Sequence, residues 1–129
     1  MGDYKVTVAG ESRRLHPIIR DEVYGLAREA VLNAFRHSAA RSVRVEIAYS
    51  DQALRMVVRD DGCGFDPALL RSRAPADRGL PRMRERARRI GAKLRLRSGA
   101  GAGTEVALSV PGRIAFQEPS SPPRLERSE

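Results

Sequence analysis

A carboxylate at the end of an apolar strand is the first feature of this chain that points to chemistry. Residues 54–59 alternate apolar and polar side chains, and Asp60 continues the apolar parity just before Gly62 and Gly64. Side chains two apart share a sheet face, so Asp60 is predicted to point toward the core side. A carboxylate there needs a hydrogen-bond donor, and glycines let the backbone approach a ligand closely. The motif suits recognition of a purine amino group, although Asp-Gly pairs are also common in plain hairpin turns.

A second set of polar residues follows helical spacing. Glu29 and Asn33 are four residues apart and Arg36 follows three later, so all three lie in a narrow sector of a helix. An acid and an amide oxygen so placed can hold a hydrated Mg²⁺ ion, and Arg36 or His37 can contact phosphate. The same stripe also suits the wet side of an amphipathic helix. Its opposite, sheet-facing side is predicted to comprise Val23, Ala27, Val31 and Ala34.

Hydrophobic periodicity predicts the elements that position these residues. A helix capped by Asp21 should run to about His37, and a helix over 80–90 should stop at Gly91. The segment 65–77 is predicted to be a loop, with one helical turn at 67–70. Strands are predicted at 5–8, 43–49, 54–60, 93–97 and 104–110, the second and third forming an antiparallel hairpin.

Each strand from Val43 onward has one apolar and one polar face, so the sheet should be covered on one side only. Two apolar-faced helices supply the cover, which predicts a two-layer α/β sandwich. The predicted organisation is a leader at 1–4, one domain at 5–116 and a disordered Pro/Ser-rich tail at 117–129.

Composition narrows the functional classes. The chain has 129 residues, 41% of them hydrophobic, a net charge of +8 and a single cysteine, Cys63. No apolar run is long enough to span a bilayer, and one cysteine permits no intrachain disulfide, which fits a reducing cytoplasm. Aromatic residues are only 5%, which argues against a base-stacking surface. The arginines between Arg71 and Arg97 indicate either a polyanion-binding patch or a solvated helix face.

Four segments in order resemble the N, G1, G2 and G3 boxes of the ATP-binding domain shared by gyrase, heat-shock chaperone, histidine-kinase and MutL-type ATPases. The closest resemblance is to the catalytic domain of bacterial sensor histidine kinases paired with helix-turn-helix response regulators. It covers about residues 5–116, and 16–116 is especially similar to the end of large kinases with β-propeller sensors. It implies an α+β Bergerat (GHKL) fold with a mixed, mostly antiparallel sheet. The segments are Glu29–Asn33, Asp60–Gly64, Gly79–Ala87 and Gly101–Val106.

The resemblance also implies roles for individual residues. Asp60 accepts the adenine amino group, with Thr104 helping through water. Asn33 binds Mg²⁺, and Glu29 orients or activates the attacking group and reaches the metal through water. The remaining nucleotide-binding positions are Arg36, His37, Gly62, Gly64, Gly79, Leu80 and Gly103.

The implied activity is transfer of the γ-phosphoryl group of Mg-ATP to a histidine on a separate dimerisation domain, which then loads a response regulator. His16 lacks the acidic neighbour and helical setting of a phospho-acceptor, so that domain is expected to lie outside this chain. The domain is expected at the cytoplasmic end of a membrane-anchored sensor, contacting neither nucleic acid nor membrane itself. Arg82 departs from the family pattern, which often has glycine there, and residues 76–78 also depart.

Four other functions remain open at this point. The same fold serves serine kinases that silence sigma factors and gyrase-like hydrolases. The basic stretch would suit a nucleic-acid-binding module, whose affinity would fall steeply with salt. Arg82 would suit a degenerate domain that binds a partner without nucleotide.

Overall fold

The computed structural model describes residues 3–64, 80–99 and 101–117, which form five strands and three helices. The predicted loop at 65–77, Gly79 and the tail from residue 118 lie outside the described residues. In chain order the elements are β1 (Asp3–Ala9), α1 (Pro17–His37), β2 (Ser42–Tyr49), β3 (Ala53–Asp60), α2 (Leu80–Arg89), β4 (Lys93–Ser98), β5 (Thr104–Pro111) and α3 (Gly112–Ala115).

The strands form one mixed sheet in the order β1-β2-β3-β5-β4. β1 pairs with β2 in parallel and every other neighbouring pair is antiparallel, which confirms the predicted hairpin of β2 and β3. β5 lies between β3 and β4, so a strand from the end of the chain is inserted beside β3. This insertion places Thr104 directly opposite Asp60.

The core lies between one face of the sheet and the helices, as predicted for a two-layer α/β sandwich. Leu26 of α1 and Met83 of α2 are completely buried against the alternate residues of the central strands. The buried strand residues are Val43, Val45, Leu54, Met56, Val58, Val106, Leu108 and Val110. The period-2 patterns of β2, β3 and β5 therefore predicted the inward-facing residues of these strands.

The predicted start of α1 is wrong. The helix begins at Pro17 and not after Asp21, and His16 at the N-cap makes no side-chain capping hydrogen bond. Proline is favourable in the first helical turn because the amide hydrogen that it lacks has no helical partner there. Asp21 lies in the second turn of α1, where its carboxylate accepts a hydrogen bond from Arg20 at 3.3 Å.

The predicted buried side of α1 is also partly wrong. Ala27 and Val31 are only half-buried, so the buried side is rotated toward Glu29 and Asn33. These two residues therefore border the buried stripe and do not lie opposite it. The helix packs against α2 as well as the sheet, which widens its buried side. The buried residues of α1 are Ile19, Val23, Leu26, Ala30 and Ala34.

A left-handed residue just after α1 yields a stability prediction. Ala39 has φ of 52°, and the Ala40 amide donates to the Ala34 carbonyl at 3.0 Å. Glycine adopts this conformation without a Cβ clash, so Ala39→Gly should raise the free energy of unfolding by roughly 0.5–1 kcal/mol. Urea denaturation checks this, with Ala53→Gly in β3 as a control that should destabilise. Equal losses in both variants would contradict the prediction.

Candidate functional site

Asp60 ends β3 on the core side of the sheet, as its parity predicted. The carboxylate is half-buried, and its Oδ1 accepts a hydrogen bond from the Gly62 amide at 2.8 Å. Burial raises the pKa of Asp60, although backbone hydrogen bonds from Gly62 and Thr104 partly oppose the rise. The Asp60 carboxylate is therefore a hydrogen-bond acceptor that is partly shielded from solvent and held in place by the turn that follows it.

Thr104 lies beside Asp60, and its hydroxyl belongs to a small network that sequence reasoning missed. Ser98 Oγ donates to the Gly103 carbonyl at 3.1 Å and lies 2.9 Å from Thr104 Oγ1. Ser98 has one hydroxyl hydrogen, so Thr104 is the donor between the two hydroxyls, and its oxygen keeps its lone pairs. The signal for Ser98 was in the sequence, since it shares the parity of Leu94 and Leu96 in β4.

The turn after Asp60 is anchored to the connection between α1 and β2. Asp61 accepts hydrogen bonds from the backbone amides of Arg41 and Ser42, both at 2.9 Å, and the Cys63 amide donates to the Ser38 carbonyl at 2.8 Å. The backbone hydrogen bonds from Ser42 and then Arg41 lower the pKa of Asp61. The anchoring holds Asp60 and the loop against the end of α1.

The glycines of this turn are required by the protein's own backbone. A Cβ at Gly62 would clash with the Ser38 carbonyl, and one at Gly64, where φ is 70°, would clash with the Gly99 carbonyl. Gly103 packs equally closely against the Asp60 carbonyl. The sequence predicts a close approach of Gly62 and Gly64 to a ligand, whereas the close approaches in the structure join the loops around Asp60.

A small cavity lies between Asp60 and α2. Asp60, Thr104 and Asn33 are among its lining residues, and Leu80 and Met83 of α2 line it from the helix layer. Its volume is about 10 Å³, roughly the space of one water molecule. The groups predicted to recognise a purine therefore converge, but a purine ring needs more space than this conformation leaves.

A polar cleft adjoins this cavity and contains the helical set predicted from sequence. Its volume is about 240 Å³ and it brings together Glu29, Asn33, Arg36 and His37, with Asn33 lining both the cleft and the cavity. Arg28 and Arg82 add two further positive charges. A cleft in which arginines outnumber carboxylates favours an anionic ligand such as a phosphate chain.

Glu29 is paired with Arg82, a contact that the sequence did not predict. Arg82 Nε lies 2.9 Å from Glu29 Oε2 and Arg82 Nη2 lies 3.3 Å from Glu29 Oε1, so the pair is bidentate. The Glu29 side chain is only 18% exposed. The hydrogen bond to Glu29 raises the pKa of Arg82. The Glu29 carboxylate, which is predicted to act on the attacking group, is therefore already paired with the Arg82 guanidinium.

The donor set of the cleft fits Mg²⁺ but not a metal site made by protein alone. Among the residues that the structure describes, no three His, Cys, Asp or Glu side chains converge on one point. The Asn33 amide oxygen and the Glu29 carboxylate are the hard oxygen donors that Mg²⁺ prefers. Waters and ligand phosphates would have to complete such a site.

Comparison with protein families gives a match over most of the chain. The model of the histidine kinase-, DNA gyrase B- and HSP90-like ATPases matches residues 19–114. Within the described part of the chain, no helix is long and apolar enough to cross a membrane.

Among the individual relatives, two are named as histidine kinases and one as a sensor protein. An uncharacterized sensor-like histidine kinase of Chloroflexus aurantiacus is 35% identical over 101 residues, 76% of this chain and 17% of that protein. The nitrate/nitrite sensor protein NarX of Escherichia coli is 37% identical over 84 residues, 65% of this chain and 14% of NarX. LiaS of Bacillus subtilis, a sensor histidine kinase, is 34% identical over 93 residues, 72% of this chain and 25% of LiaS. The chain thus spans a quarter or less of these relatives.

A solved structure of a histidine kinase domain is similar to this chain in fold. The histidine kinase domain of the blue-light-activated kinase EL346 from Erythrobacter litoralis matches with a TM-score of 0.66 and 26% identity. The match covers 86% of this chain and 52% of that chain.

Proposed function

We propose that this chain, which belongs to the family of histidine kinase-, DNA gyrase B- and HSP90-like ATPases, is the catalytic ATP-binding domain of a sensor histidine kinase. The observation that carries the proposal is the convergence of Asp60, Thr104 and Asn33 on one cavity beside a cationic cleft. The cavity has the chemistry to recognise a purine, and the cleft has the chemistry to hold phosphates. The order of these groups along the site follows that of adenine and phosphates in ATP.

At the purine end, Asp60 accepts a hydrogen bond from the adenine amino group. Its half-buried carboxylate is already held by the Gly62 amide, so the side chain loses little conformational freedom on binding. The Thr104 hydroxyl, fixed by Ser98 at 2.9 Å, holds a water that completes the contact. Guanine carries a carbonyl at the position of this amino group, so a carboxylate there discriminates against it.

At the phosphate end, Asn33, Arg36 and His37 bind and orient the phosphate chain. The Asn33 amide oxygen and, through water, the Glu29 carboxylate would hold Mg²⁺, which would supply charge neutralisation. Arg36 and His37 contact phosphate oxygens. Glu29 orients the attacking group, and positioning of this kind carries most of the work in phosphoryl transfer.

The acceptor of the γ-phosphoryl group is a histidine on a separate dimerisation domain, which then passes it to a response regulator. The share of NarX and LiaS that this chain spans leaves room for such a domain in those relatives. His16 stands at the N-cap position of α1 and His37 lines the cleft, and neither is the phospho-acceptor in this proposal. We place the domain in the cytoplasm, with no contact to nucleic acid.

A second candidate is a partner-binding domain that no longer takes nucleotide. It is favoured by the small volume of the cavity, about 10 Å³, and by the ion pair between Arg82 and Glu29. The two candidates differ in whether Mg-nucleotide binds at all.

Thermal melting with and without Mg-ADP tests the proposal. Nucleotide at 100 times its dissociation constant should add about 2.7 kcal/mol to the free energy of unfolding and raise the Tm by several degrees. The shift should need Mg²⁺, and Mg-GDP should give a smaller one because guanine lacks the amino group that Asp60 accepts. No shift at millimolar Mg-ADP would overturn the proposal and favour the partner-binding candidate.

A further inference from the structure

The helix α2 is attached to α1 at two separate places. Near its start, Arg82 forms the bidentate pair with Glu29 described above. Near its end, Arg86 and Arg89 both donate to Glu22, at 2.8 and 3.1 Å. Each half of α2 therefore has its own ionic attachment.

The first half of α2 closes the cavity over Asp60. Leu80 and Met83 line the cavity and are 2% and 0% exposed. Both side chains occupy space next to Asp60 and Thr104 that a purine ring requires, since only about 10 Å³ is free. A purine therefore requires these two side chains to move, which a shift of the first turn of α2 would allow.

The Arg86 contact in the second half of α2 is less exposed than the Arg82 contact in the first half. The Arg86 guanidinium lies against Gly25, at the one α1 position without a side chain to obstruct it, and Ala87 is buried. Arg86 is 31% exposed and Arg82 is 56% exposed. Solvent competes more for the Arg82 contact, so the attachment at the start of α2 is the one that opens.

We propose that Arg82 is a positioning residue that holds the first turn of α2 closed over the purine cavity through Glu29, and that Mg-nucleotide binds by separating this pair. The inference rests on the proposed function, because the displaced turn makes room for the nucleotide. Separation also frees the Glu29 carboxylate for the water shell of Mg²⁺ in the adjoining cleft. Arg82 thereby sets the affinity of the site without contacting the ligand.

Nucleotide affinity provides the first test, in the variant Arg82→Ala. Loss of an exposed ion pair that opposes binding should tighten Mg-ADP binding about fivefold. It should also lower the Mg²⁺ concentration needed for half-maximal binding, a change that a merely structural role would not produce. Arg84→Ala is the matched control, because Arg84 is an exposed arginine of α2 with no ion-pair partner among the described residues. Weaker binding by Arg82→Ala, or equal changes in both variants, would overturn the inference.

Hydrogen exchange without nucleotide provides a second test that does not depend on the proposed function. Amides in the first two turns of α2 should exchange about fivefold faster in Arg82→Ala and at the wild-type rate in Arg84→Ala. In the Glu29→Gln background, Arg82→Ala should have little further effect, because the pair is already broken. Faster exchange with no nucleotide binding by any variant would sink the proposed function and keep the role of Arg82. Unchanged exchange beside normal nucleotide binding would do the reverse.

Discussion

Asp60→Asn is expected to weaken Mg-ADP binding by about tenfold or more, or about 1.4 kcal/mol, in titration calorimetry. A carboxylate only accepts hydrogen bonds, whereas an asparagine amide presents a donor to the adenine amino group in one of its two orientations. The change also removes a negative charge that makes the hydrogen bond stronger. In that orientation the asparagine oxygen still accepts the hydrogen bond from the Gly62 amide, so the fold should be retained.

The pH dependence of nucleotide binding gives an independent test of the role of Asp60. Burial raises the pKa of Asp60, so the wild-type affinity should fall with decreasing pH already above the usual range for an aspartate. The raised pKa favours the protonated folded state, so this group does not itself unfold the protein as the pH falls. The pKa of Asp61 is shifted in the opposite direction. Because it is lowered, the ionised Asp61 stabilises the folded state, and this stability is lost only as the pH falls through the lowered pKa. Binding should therefore weaken before the turn that Asp61 anchors is lost.

The control for Asp60→Asn is Asp51→Asn, the same chemical change at an exposed position in the turn between β2 and β3. This control should keep both the affinity and the pH profile of the wild type. Asp60→Asn should show a flat profile over the range in which the wild type weakens. Equal affinities in the wild type and Asp60→Asn would remove the adenine role from Asp60.

Asn33→Ala is expected to spare metal-free nucleotide binding and to abolish its enhancement by Mg²⁺. Asn33 lines both the cavity and the cleft, and in the described structure the metal has no cluster of acidic ligands to fall back on. Loss of one protein oxygen from such a sparse site should therefore cost about tenfold or more in metal affinity. ADP titrations with Mg²⁺ and with a chelator measure the enhancement directly.

The matched control for Asn33→Ala removes a side-chain amide elsewhere. Gln52→Ala, at an exposed position in the β2–β3 turn, should respond to Mg²⁺ like the wild type. If Asn33→Ala also responded like the wild type, the metal would have to be held by other groups. If Asn33→Ala lost nucleotide binding equally with and without metal, Asn33 would contribute to nucleotide binding in the cavity and not to metal binding.

Much of the fold was accessible from local patterns, because periodicity reports which side of an element is buried. The alternation of β3 placed Asp60 on the core side, and Gly91 marked the end of α2 correctly, with φ of 66°. The pattern failed at the start of α1, where Asp21 looked like a cap but Pro17 begins the helix. Both residues are legitimate start signals, and a local pattern does not rank them.

The sequence by itself determined the two-layer fold, the four boxes and the parity of Asp60, because each depends on residues that are close along the chain. Contacts between distant segments required the folded protein. The insertion of β5 beside β3 puts Thr104 opposite Asp60, and the packing of α1 on α2 turns Glu29 toward Arg82, 53 residues away. That same packing closes the purine cavity with Leu80 and Met83. Strand order and helix rotation are settled by how whole faces fit together, and the periodicity of a single segment contains no information about its partner.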